Sequence, residues 1–168
     1  MKNAKMIARL ALLTALALIL GYVESLLPIV PSAPGIKIGL SNLVVLYAIW
    51  QLGSWQAFVL MLLKVGLSGL LFSGPVGALY ALAGGILSVI GMVLLHRANL
   101  SVVAVSAAGG VLHNIGQTAI ACALLSPAAA LGYLPVLLAA GLLAGLLLGL
   151  VSQVAIRAID RYERGKHA

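Results

Sequence analysis

Six apolar runs, punctuated by Gly, Pro and charged residues, constrain this chain more than any other feature. They extend from Lys5 to Leu27, Ile38 to Gln51, Trp55 to Phe72, Val76 to Leu95, Leu100 to Leu125 and Leu131 to Ile156. A helix that crosses a bilayer needs about 20 mostly apolar residues. The second run is shorter, so it is expected to stop early or to be partly re-entrant. None of the runs alternates with the period of two that a membrane barrel strand requires. Hydrophobic residues make up 63% of the 168, and charged residues only 8%. A soluble domain carries roughly 25% charged residues, so this chain has too little polar surface to cover a globule in water. The expected fold is therefore an all-α integral membrane protein, a six-transmembrane-helix bundle forming one domain over residues 1–168.

The formal net charge of +7 does not imply nucleic acid, because of where the charges lie. Lys2, Lys5 and Arg9 open the chain, and Arg157, Arg161, Arg164 and Lys166 close it. Cations at the ends of apolar spans record topology and attraction to anionic lipid headgroups. With six spans, Arg97 falls on the same side as both termini, whereas the opposite loops offer Lys37. The excess of cations predicts cytoplasmic termini in a prokaryotic cell membrane. The first run continues into Tyr22, Glu24 and a Pro-rich turn without a small-residue cleavage pattern, so it reads as a span rather than a cleaved signal. Cys122, a single cysteine, allows no intrachain disulfide.

Polar residues inside such runs are the candidates for function. At a helical rise of about 1.5 Å per residue, Lys64 falls near the bilayer midplane. His113 and Gln117 lie further along the fifth run, and Asn114 sits beside them. Glu24 comes near the outer end of the first run, and Lys37 and Asn42 bracket the entry to the second. An ionisable residue at the bilayer centre costs at least about 2.5–3.5 kcal/mol on insertion scales. Lys64 therefore requires an ion pair with Glu24, an anionic ligand, snorkelling to water, or loss of its charge. Ser106, Gly110, His113 and Gln117 share one helix face, which suits a cavity wall, and Tyr80, Gly84 and Ser88 form a similar strip. The outward-facing cavity expected from these residues has Lys64, His113, Asn114 and Gln117 within it, with Asn42, Lys37 and Glu24 at its mouth. Its ligand would be a small molecule, anionic or rich in carbonyls, with an apolar remainder of isoprenoid or ring type.

Two stripes of small residues concern packing. Ala4, Ala8, Ala11 and Ala15 occupy one face of the first helix, and Gly141, Gly145 and Gly149 one face of the sixth. Small residues at this spacing let helix backbones approach closely in lipid. The glycine stripe reads as internal packing. The alanine stripe fits either internal packing or docking of another protein.

The segments RLALLTALALILGYVESLLP, PGIKIGLSNLVVL, GALYALAGGILS and GGVLHNIGQ resemble the membrane proteins called heptaprenyl diphosphate synthase component I, also termed the Gx transporter family. The resemblance covers nearly the whole chain. That family is similar in turn to the substrate-binding S components of energy-coupling factor (ECF) vitamin importers. This likeness implies a six-helix subunit that takes up a vitamin-like molecule from the outer face. It also implies that Ala4, Ala8, Ala11 and Ala15 meet a transmembrane T subunit, which connects to separate ATPase subunits. No GxxxxGK[ST] motif is present, so energy from ATP would have to come from those partners.

Enzymatic readings are weaker. Prenyl elongation needs Mg²⁺ held by acidic clusters, and this chain has three acidic residues, Glu24, Asp160 and Glu163. An accessory, non-catalytic role beside a prenyl synthase is the alternative that survives. The GLSG segment around Ser68 resembles the nucleophile motif of rhomboid proteases, with His113 as a conceivable base. Its serine is expected instead to bond back to the carbonyl of residue 64. Neither a catalytic residue, a metal ligand nor a cofactor is expected.

Overall fold

A computed structural model of the chain describes residues 2–26 and 38–165. All regular structure among them is helical: α1 (Lys2–Leu26), α2 (Leu40–Gln51), α3 (Ser54–Ser68), a π-helical turn (Gly69–Ser73), α4 (Gly74–Arg97), α5 (Val102–Leu124) and α6 (Pro127–Gly165). Lys37 and the Pro-rich stretch before it lie outside the described residues, as does Lys166.

Helix continuity differs from six equivalent spans. Among the described residues, three helical stretches are long and apolar enough to cross a bilayer: Ala4–Leu26, Ser54–Arg97 and Pro127–Tyr162. The second of these is a hairpin. The chain reverses at Gly74, whose φ of 69° and ψ of 173° leave helical space. Gly85 of α4 then lies against Met61 of α3. α5 is 23 residues long, but His113, Asn114 and Gln117 make it less apolar than the other three. α2 has only 12 residues, a length of about 18 Å, well short of a bilayer. α6 runs to Gly165, beyond the expected end at Ile156.

The short helix is the most enclosed. Val44, Val45, Leu46, Ala48 and Ile49 of α2 are buried among Ala57, Leu60 and Met61 of α3 and Ala17 of α1. α2 is apolar all round, which fits a helix with neighbours on every side. The outer surface is correspondingly apolar, with Leu12, Leu70, Leu71, Leu143 and Leu147 exposed. Exposed apolar surface of this extent requires lipid or protein to cover it.

Packing of α5 relies on missing side chains. A Cβ placed on Gly116 would stand 2.6 Å from the Ala83 carbonyl oxygen of α4, and one on Gly109 would stand 2.6 Å from Met92 Sδ. On the other side, Gly110 meets the backbone of Gly141, while Cβ atoms on Gly145 and Gly149 would come within 2.7 Å of Ala107 Cα and Val103 Cα. The stripe at Gly141, Gly145 and Gly149 thus faces α5, and backbones touch directly as in other lipid-embedded helix pairs. By contrast, Ala4, Ala8, Ala11 and Ala15 of α1 are all exposed.

A side chain from α1 secures the start of α2. Glu24 Oε1 accepts the Gly39 N–H at 2.5 Å, and Oε2 accepts the Leu40 N–H at 3.1 Å. These amides belong to the group left without partners at a helix N-terminus, and carboxylates are favoured there. Glu24→Ala is expected to lower stability by about 1–2 kcal/mol, the range for loss of a cap. Reversible unfolding in detergent, compared with wild type, measures it.

Candidate functional site

The alternating direction of the helices brings six segments to one end of the bundle. These are the C-terminal halves of α1 and α3, the N-terminal half of α2, and turns of α4, α5 and α6 that extend past the middle of each helix, to Met92, Ser106 and Leu148. Between them is a cavity of about 140 Å³. The cationic flanks Arg9, Arg97 and Arg157 belong to the opposite ends of α1, α4 and α6.

The structure brings together most of the polar residues singled out from the sequence. Lys64, His113, Asn114, Gln117, Asn42 and Glu24 all line the cavity. Tyr80 does not, although Gly84 and Ser88 on the same strip pack against α5. Lys37 falls outside the described residues.

Lys64 projects from the C-terminal half of α3 and is only 8% exposed. Its ammonium donates to Asn42 Oδ1 at 2.5 Å and to Ser41 Oγ at 2.9 Å, both in the first turn of α2. The Glu24 cap that starts α2 therefore also sets the position of the two groups that hold Lys64. Ser41 is not among the residues that the sequence singles out. The signal for it lies in GLSN, where two adjacent polar residues open an otherwise apolar helix.

His113 occupies space left by a glycine on α4. A Cβ on Gly84 would lie 2.7 Å from the His113 carbonyl oxygen and 2.9 Å from its ring. Asn114 donates through Nδ2 to the Leu137 carbonyl at 2.5 Å, so this amide helps join α5 to α6. The Thr118 hydroxyl donates to the Asn114 carbonyl at 2.8 Å. Gln117 lines the same cavity and makes no hydrogen bond among the described residues. The buried Ser73 Oγ, another lining atom, also has none among them.

Ser68 donates to the Val65 carbonyl at 3.1 Å, one residue beyond the carbonyl expected. A hydroxyl whose proton is directed at the backbone is not an activated nucleophile. No cluster of three or more His, Cys, Asp or Glu residues suited to a metal occurs among the described residues. Two of the three acids are engaged elsewhere, Glu24 at the start of α2 and Asp160 accepting from Gln51 Nε2 at 2.9 Å.

These features define an all-helical membrane protein with a small cavity that gathers several polar side chains, and with an apolar exterior. A profile of the heptaprenyl diphosphate synthase component I family matches residues 13–155, and the chain belongs to that family. No curated protein and no solved structure matches it.

Proposed function

We propose that this protein is the substrate-binding S component of an ECF-type importer, which captures a small molecule from the outer face of the cell membrane. The observation that carries this reading is the cavity with Lys64 fixed at its wall by Ser41 and Asn42. A buried ammonium in a helical membrane protein is costly, and such residues characteristically mark a pathway or a ligand site. In this reading the chain is a six-span bundle with both termini in the cytoplasm. Lys64 supplies charge to the cargo, and His113, Asn114 and Gln117 orient it, with Asn42, Lys37 and Glu24 nearer the mouth and Tyr80 behind the wall. The exposed Ala4, Ala8, Ala11 and Ala15 form the docking face for a T subunit, through which separate ATPase subunits act.

Docking is tested by co-expressing the chain with T and ATPase subunits and purifying through a tag on the T subunit. Ala8→Leu and Ala15→Leu are expected to reduce recovery of the chain at least tenfold. Their thermal stability should match wild type, because both positions are exposed. Undiminished recovery would remove α1 as the docking face.

The family description favours a second reading, a non-catalytic membrane subunit beside a soluble prenyl diphosphate synthase. The engagement of Glu24 and Asp160 in helix contacts suits a role without catalysis. Prenyl product that forms only when both proteins are present would select this reading.

A further inference from the structure

The cationic end of the bundle, opposite the Lys64 cavity, has an opening of its own. A cleft of about 230 Å³ lies there between the C-terminus of α2, the N-terminus of α5 and the last third of α6, with Trp50, Ser101, Gln153 and Arg157 along it. The Gln153 amide oxygen accepts from the Arg157 guanidinium, in the amide orientation that satisfies both groups. A guanidinium has five N–H donors, so this contact steadies it without exhausting it. Among the described residues Arg157 makes no ion pair, and the next acid along the helix, Asp160, accepts from Gln51. The Ser101 hydroxyl accepts from the Ala104 N–H at 3.3 Å, which leaves its own proton to donate. Trp50 is held against His96, their ring centroids 4.2 Å apart.

The surface beside the cleft selects the ligand. Leu143, Leu147, Leu150 and Val154 share one exposed face of α6, and Arg157 and Arg161 continue it. At about 1.5 Å per residue the apolar part runs roughly 16 Å, close to one leaflet of a hydrocarbon core about 30 Å thick. Trp55 and Tyr162, both largely exposed, stand at the same end, and such rings mark the boundary between lipid and water. The cleft thus sits at headgroup level, beside a lane for an acyl chain. A phosphate suits the forked guanidinium. Arg161, one turn beyond Arg157, and Arg97, next to His96, favour a headgroup of net negative charge over a zwitterionic one.

We infer that this cleft binds the headgroup of an anionic phospholipid, its phosphate on Arg157 and an acyl chain along the exposed face of α6. The site is separate from the Lys64 cavity and does not depend on what that cavity captures.

The test gives the full chain, delipidated in detergent, equimolar phosphatidylglycerol and phosphatidylcholine with identical acyl chains, followed by native mass spectrometry. Retained phosphatidylglycerol is expected to exceed phosphatidylcholine at least fivefold. Arg157→Gln should bring the two lipids near parity, whereas Arg164→Gln, outside the cleft, should leave the preference unchanged. Excess glycerol phosphate, a headgroup without chains, should not displace the lipid. Equal retention by wild type, or an undiminished preference in Arg157→Gln, would overturn the assignment. Displacement by glycerol phosphate would overturn it too, by making the cleft a site for a soluble anion. If Arg157→Gln melts well below wild type, Arg157→Lys decides the matter, because it keeps the charge and loses the fork. The preference should then fall at least twofold, and no change would overturn the role of the guanidinium.

Discussion

Gly145→Leu is expected to abolish recovery of folded protein. A Cβ at this position would stand 2.6 Å from the Ser106 carbonyl oxygen and 2.7 Å from Ala107 Cα. Both are backbone atoms of α5, so no side chain can swing aside, and leucine adds three further carbons beyond the first. Overpacking a well-filled interior costs about 1–3 kcal/mol where side chains can adjust. Here the helices themselves must separate, breaking the contacts at Gly141 and Gly149 as well. Folded domains retain only about 5–15 kcal/mol of net stability, so a loss on this scale prevents accumulation. Gly132→Ala on the same helix is the control, because nothing lies within 4 Å of its added methyl. It should raise stability by up to about 1 kcal/mol through better helix propensity. Size-exclusion profiles and thermal unfolding in detergent measure both. Wild-type behaviour of Gly145→Leu would mean that α5 and α6 do not meet along this glycine face.

Lys64→Met is expected to separate stability from binding. Methionine preserves much of the length and apolar stem of lysine but has no ammonium. The substitution removes the bonds to Ser41 and Asn42, each worth about 1.5–3 kcal/mol when one partner is charged. It also relieves the cost of holding an ionisable group at membrane depth, about 2.5–3.5 kcal/mol on insertion scales. Two such bonds total about 3–6 kcal/mol, so the relief offsets much but not all of the loss, and the empty protein should stay folded and melt moderately below wild type. Ligand has no such compensation. Losing a charge-assisted contact of about 1.5–3 kcal/mol weakens binding roughly tenfold to a hundredfold. The ligand-induced rise in melting temperature should shrink accordingly. Unchanged binding would remove Lys64 from the site, and a large fall in the melting temperature of the empty protein would assign it a structural role instead.

Much of the helical layout is legible in the sequence because apolar composition and helix breakers coincide. The glycine stripe of α6 is likewise readable, since three glycines at four-residue spacing leave a smooth face. Other features depend on tertiary contacts that periodicity does not encode. The enclosure of α2 follows from neighbours on every side, whereas its sequence suggests a short or re-entrant span. The π turn at Gly69–Ser73 and the reversal at Gly74 depend on backbone geometry, and glycine permits that geometry without requiring it. Of the cavity, Lys64, His113, Asn114, Gln117, Asn42 and Glu24 could be picked out because polar groups are conspicuous in apolar runs. Ser41 and Ser73 could not, because serine is common in membrane helices and often only bonds to its own backbone. The sequence places Glu24 near the mouth, but its hold on α2 joins groups fifteen residues apart and has no local signal.

The glycine contacts on both sides of α5 have a bearing on how selectivity could diverge among relatives. Where backbones touch, a new side chain has no room, and exchange there threatens the architecture before it alters chemistry. Ser41, Asn42 and Lys64 meet through side-chain atoms, so their polarity and reach can change while the main chain stays in place. Under the proposed capture role, new cargo preferences would therefore arise more readily on the α2–α3 wall, with the α5 wall as a fixed reference.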